Sequence, residues 1–137
     1  MIVLGLTACT QTPLEKIDSH LKDAAEGNLE KWSQEDWKDF YIDALVLISE
    51  FYEADPTFEE TEELYKMAEK YGNIIDDKMP HGGYKVTIWA DLRLNISSKI
   101  YDSVTKNEEW DNAYARLESA WEKWYSSRSR GEKPNAD

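Results

Sequence analysis

The chain has one cysteine and two histidines. A lone Cys cannot close an internal disulfide, and one Cys with two His falls short of the four ligands of an ordinary structural zinc site, so neither scaffold holds this fold. Basic residues are also in short supply, with 16 Lys and Arg against 28 Asp and Glu, a formal charge of −12. Phosphate backbones are bound mainly by basic surface, so nucleic acid is not an expected partner. No stretch approaches the roughly 20 apolar residues of a transmembrane helix. The G-x-S-x-G, H-E-x-x-H and D-x-[DN]-x-[DN]-G motifs that would supply a nucleophile, a catalytic zinc or a calcium loop are missing as well. We therefore expect no catalytic residues, no metal and no cofactor. What is there, 137 residues of which 41% are apolar and 32% charged, suits one soluble domain able to bury about two thirds of its unfolded surface.

The single Cys is informatively placed. Leu6-Thr7-Ala8-Cys9 follows the apolar start Met1 to Leu6. The tetrapeptide resembles a bacterial lipobox, in which the bond before the Cys is cut and the new N-terminal Cys receives acyl chains. On that reading residues 1–8 are a signal-peptide remnant and 9–12 are the lipidated Cys9 with a short tether. Residues 13–127 form one domain, and 128–137, polar and containing Gly and Pro, form a disordered tail.

Helix starts are heavily marked. Thr12-Pro13-Leu14-Glu15 combines an N-cap hydroxyl, a Pro at the first helical position and a Glu able to bond back to the cap. Leu14, Ile17, Leu21 and Ala24 then recur at helical spacing, and Gly27 is available for a left-handed C′ position. Ser33 caps a second helix, with Trp32 and Trp37 spaced as a hydrophobic staple. Trp37, Phe40, Tyr41, Ala44, Leu45, Ile48, Phe51 and Tyr52 hold one face until Asp55-Pro56 stops it. Thr57 and Glu60 open a third helix, on which Phe58, Thr61, Tyr65, Ala68, Gly72, Ile75 and Met79 recur; Gly72 reads as a place where another helix approaches closely. The short connection makes the second and third helices antiparallel neighbours.

Pro80-His81-Gly82-Gly83 breaks the pattern. Val86-Thr87-Ile88-Trp89 is compatible with a strand, but Trp89, Leu92, Ile96, Ile100 and Val104 keep helical spacing over a longer run, and length decides for a helix. The last helix starts near Thr105 or Asn107, with Trp110, Tyr114, Leu117, Trp121 and Trp124 as an a/d seam. The expected fold class is all-α: an antiparallel bundle of about four long helices, each about 20 residues and 30 Å, plus a short N-terminal helix.

The lipobox, Trp32-Ser33-x-Glu35-Asp36-Trp37, an aromatic helix and Thr57-x-Glu59-Glu60 together resemble small Bacteroidetes lipoproteins assigned only to domains of unknown function. The resemblance covers about residues 30–79 and the lipobox. It implies an envelope location and a helical bundle, and it brings no catalytic residues. Asp102-Ser103-Val104 is similar to the O-glycosylation signal that some Bacteroidetes apply to exported proteins, which makes Ser103 a candidate acceptor.

Three features are candidates for function. Between Lys38 and Lys66 lie nine acids and no basic residue: Asp39, Asp43, Glu50, Glu53, Asp55, Glu59, Glu60, Glu62 and Glu63. Helical spacing spreads them over solvent-facing positions, so we read them as a solvated acidic face. Six Trp and eight Tyr exceed the needs of a small bundle. Rings off the core seams, namely Trp32, Tyr84, Tyr101 and Tyr125, are the candidates for contact with a partner. His81, near Asp76 and Asp77, is read as an exposed loop histidine, and His20 has no evident partner. The expected function is that of a non-enzymatic interaction or accessory module in a bacterial cell envelope. It would be anchored to the membrane through lipidated Cys9, on the outer membrane's periplasmic or surface face, and would act on an unidentified envelope protein. The alternatives are a glycan-binding accessory that presents Trp and Tyr rings, and a hydrolase using two facing carboxylates.

Overall fold

The computed structural model describes residues 11–80, 83–89 and 92–128. Helices α1 (Pro13–Glu26), α2 (Gln34–Glu53) and α3 (Phe58–Lys78) are followed by strands β1 (Lys85–Trp89) and β2 (Leu94–Ser97). A short helix α4 (Tyr101–Thr105) and a long helix α5 (Glu108–Ser127) complete the described residues. The protein is thus broadly helical with a small two-stranded sheet. None of the helices among the described residues is long and apolar enough to cross a membrane.

Local chemistry sets the helix starts. Thr12 with Glu15, Ser33 with Asp36 and Thr57 with Glu60 each form a reciprocal capping box, which satisfies two of the N–H groups that a helix start leaves unpaired. Asn107 caps α5 by accepting from the Trp110 N–H at 2.7 Å. The staple is present too, with the Trp32 and Trp37 rings 4.8 Å apart. The ends are less regular. Gly27 closes α1 in an extended conformation, φ −86° and ψ −177°, rather than the left-handed one its position suggested.

All eight apolar positions expected on α2 are buried. On α5 the buried stripe is Trp110, Ala113, Leu117, Ala120 and Trp124. The expected seam is rotated so that two alanines lie in the contact while Tyr114 and Trp121 flank it. These alanines let α5 lie along α2, the most extensive helix pairing in the protein. Residue pairs along it give the direction: Lys38 meets Glu109 near the start, and Tyr52 meets Trp124 near the end. The two helices therefore run parallel. Arg116 adds a two-pronged bond to Glu53 at 2.7 and 2.8 Å, which holds the Glu53 carboxyl below its ordinary range.

That parallel direction corrects the expected up-and-down bundle, and its cause is the segment after Pro80. The fourth long helix does not form. β1 and β2 pair antiparallel, with Val86 opposite Ile96 and Thr87 opposite Asn95. A hairpin goes out and returns, so α5 starts beside the N-terminal end of α2. The right residues are buried, since Leu92, Ile96, Ile100 and Val104 all lie in the core. A step of four residues is close to one helical turn but is also twice the strand period, so this spacing did not discriminate. The β-branched run from Val86 to Ile88 favours the strand, and Arg93 takes a left-handed φ of 54° at the turn.

A two-stranded hairpin is marginal alone; here the helices hold it. The buried Tyr41 hydroxyl on α2 donates to the Asn95 carbonyl at 2.6 Å, and the Tyr114 hydroxyl on α5 donates to the Ile88 carbonyl at 2.9 Å. Asn95 also donates to Asp76 on α3 at 3.2 Å.

The second and third helices, expected as close neighbours, diverge after their short connection. α1 lies against both of them instead. Between α1, α2, α3 and the hairpin is a partly enclosed apolar space of about 40 Å³, lined in part by Leu21, Ala44, Ala68 and Gly72. α3 runs through Gly72 without a break, but a Cβ built there would meet nothing within 4 Å. No helix approaches closely at this glycine, which corrects that reading. Gly72→Ala should therefore stabilise the protein by about 0.5–1 kcal/mol, from helix propensity and lost unfolded-state entropy. Thermal unfolding followed by circular dichroism should show a higher midpoint; a lower one would contradict the open space.

Candidate functional site

The four rings proposed as contact residues are not brought together. Trp32 is half-buried, between Trp37 and Phe40. Tyr101 is half-buried in α4, beside Trp110 and Tyr114 in a shallow depression under β1. Both pack against the core and are not free platforms. Tyr84 is 69% exposed just before β1, and Tyr125 is 53% exposed near the end of α5. Cys9 and His81 lie outside the described residues. Ser103 is partly buried in α4 and its hydroxyl donates to the Ile100 carbonyl at 2.9 Å.

Tyr125 does belong to a site. The first turns of α3 and the last turns of α5 enclose an open cleft of about 570 Å³, lined by Phe58, Thr61, Tyr65, Trp121, Trp124 and Tyr125, with Glu59 and Glu62 at its edge. Trp124 forms the buried floor. Its indole N–H donates to the Pro56 carbonyl at 2.8 Å, and its ring meets Phe58 edge-on at 5.6 Å. Trp121 and Tyr125 stack with planes 10° apart and centroids 5.0 Å apart. The cleft exists because the two helix ends run past the packed core. Phe58, Thr61 and Tyr65 on α3, and Trp121 and Trp124 on α5, have core spacing in the sequence. At the ends of their helices, however, Phe58, Tyr65 and Trp121 are left partly uncovered, while Thr61 and Trp124 are buried. The detectable signal was position: aromatic residues at core spacing within two turns of a helix terminus.

A cation already occupies one side of these rings. The Arg128 guanidinium lies 5.8 Å from the Phe58 ring and 5.6 Å from the Trp124 ring. Its Nη2 donates to Asp55 at 2.8 Å and also to the Pro56 carbonyl. The sequence assigned Arg128 to the start of the tail, whereas the structure ties it to the α2–α3 connection. There Asp55 takes a left-handed φ of 58°, a conformation that Asp tolerates better than most residues.

A second depression, of about 340 Å³, gathers His20, Asp23, Asp36 and Asp39 between α1 and the start of α2. The His20 Nε2 donates to the Phe40 carbonyl at 3.0 Å, and its ring stacks on Phe40 at 4.9 Å. That is the partner the sequence did not reveal, and it joins α1 to α2. Asp36 is committed to the Ser33 cap. Among the described residues no group of three or more His, Cys, Asp and Glu is placed to hold a metal. The nine acids of the long acidic stretch are exposed except Glu50, which is half-buried. No protein-family model, curated protein or solved structure matches this chain.

Proposed function

We propose that this is a lipid-anchored protein of a bacterial cell envelope. In this reading Cys9 carries the acyl chains, and the helical body, with a hairpin let into it, is a non-enzymatic binding module. The helix-start motifs of residues 30–79 resemble those of small Bacteroidetes lipoproteins. The observation that carries the binding role is the aromatic cleft between α3 and α5, since Trp and Tyr left partly uncovered beside a buried floor are favoured anchors of protein interfaces. The Leu6-Thr7-Ala8-Cys9 tetrapeptide supports the anchor. Two or more acyl chains hold a protein stably on a bilayer where one does not.

In a bacterial host, labelled palmitate should enter the wild type and not Cys9→Ala, and the variant should leave the membrane fraction. Equal labelling of both would overturn the anchor. A photoreactive residue at position 125 should give a discrete adduct in native envelopes that one at position 84 does not. Identical adduct patterns would remove the cleft as the contact surface.

A further inference from the structure

We infer that the α3–α5 cleft receives arginine side chains from a basic segment of a partner protein; this rests on the reading of the cleft as the contact surface and names what it binds. Three observations lead there. Phe58 and Trp124 meet at a steep angle, their planes 75° apart. Trp121 and Tyr125 are stacked face to face, so that only their outer faces are open to a ligand. A sugar needs ring faces laid out as a platform, whereas a cation is attracted to ring faces presented from several directions.

The charge at the edge is the second observation. Glu59 and Glu62 line the cleft and are exposed. Neither has an ion-pair partner among the described residues, although Glu53, Asp55 and Glu69 all have one. A chain of formal charge −12 draws basic partners to such a surface and repels acidic ones. Third, Arg128 on the neighbouring side of Phe58 and Trp124 displays the binding mode within the chain itself. Its guanidinium lies over both rings while its Nη2 is bonded to a carboxylate. A partner's Arg entering from the open side would find the same two elements, with Tyr125 and Trp121 as rings and Glu59 and Glu62 as carboxylates. Guanidinium groups are favoured over ammonium in this setting because they are planar, weakly hydrated and able to stack.

Tryptophan fluorescence of the full chain, titrated with an Arg-Gly repeat peptide, a Ser-Gly peptide of equal length and a cello-oligosaccharide, tests the assignment. The Arg-Gly peptide should bind saturably and more weakly as salt rises. Tyr125→Ala and the double variant Glu59→Gln/Glu62→Gln should each weaken it about tenfold. Tyr84→Ala, which removes an exposed ring elsewhere, should leave it unchanged. All these positions are exposed, and circular dichroism will confirm that each variant is folded. An Arg-Gly peptide that binds no better than Ser-Gly overturns the arginine assignment. If the oligosaccharide alone saturates, and Tyr125→Ala abolishes it, the cleft stands as the contact surface with a glycan as its ligand. If Tyr125→Ala and Tyr84→Ala weaken the Arg-Gly peptide equally, the attraction is diffuse and the cleft reading itself fails.

Discussion

Leu117→Ala should cost about 2–5 kcal/mol, the range for deleting a buried leucine where the surroundings cannot collapse into the gap. Leu117 has no exposed surface and sits midway along the buried stripe of α5, between Ala113 and Ala120. Those alanines bring α5 close to α2 but offer no side chain to refill the hole. The next large groups on the stripe are Trp110 and Trp124, about one turn beyond each alanine. Trp124 is fixed by its bond to Pro56. Urea unfolding should show a lower midpoint with an unchanged slope, since the surface exposed on unfolding is nearly the same. Glu118→Ala, one residue on and exposed, should stay within about 0.5 kcal/mol of wild type. A Leu117→Ala loss no larger than that of Glu118→Ala would mean that the α2–α5 contact is not the main source of stability.

The same interface explains how far the sequence could be read. The starts of α1, α2, α3 and α5 were legible because capping is local: an oxygen three residues from an N–H needs nothing from the rest of the chain. The buried face of α2 was legible because its apolar period is strong and long. On α3 the expected face included Phe58, which is exposed, and left out Leu64 and Tyr71, which are buried. Helices with many charged residues leave the precise orientation of the apolar face to whichever elements pack against them. The hairpin was the main failure, and it was a non-local one. Its two strands are held by phenols from α2 and α5 and by Asp76 on α3, donors and acceptors far away in sequence. The cleft was hidden for a related reason. Core spacing shows which face a residue is on, whereas a binding surface depends on whether another element arrives to cover it.

Tyr41→Phe should cost about 1–3 kcal/mol at neutral pH, since it leaves the Asn95 carbonyl without the donor that reaches it at 2.6 Å. The same hydroxyl gives the protein an alkaline limit. Burial, assisted by the Asp76 carboxylate, pushes the Tyr41 phenol well above its ordinary value, whereas in the unfolded chain it ionises near 10. The native state thus keeps a proton that the unfolded state releases. Stability from this group is complete below about pH 10 and falls as pH rises through and beyond that value, by about 1.4 kcal/mol per unit for one proton. Tyr71 and Tyr114 are raised as well, mainly by burial, so part of the slope is theirs. Urea midpoints between pH 8 and 11 should therefore fall in both proteins, but less steeply in Tyr41→Phe, by up to one proton's worth. The variant would be less stable at pH 8 and nearer to wild type at pH 11. Phenolate absorbance should show wild type holding back one tyrosine until it unfolds. Parallel midpoint curves would mean that Tyr41 ionises without opening the fold, and that its bond to the hairpin contributes little to holding β2 against α2.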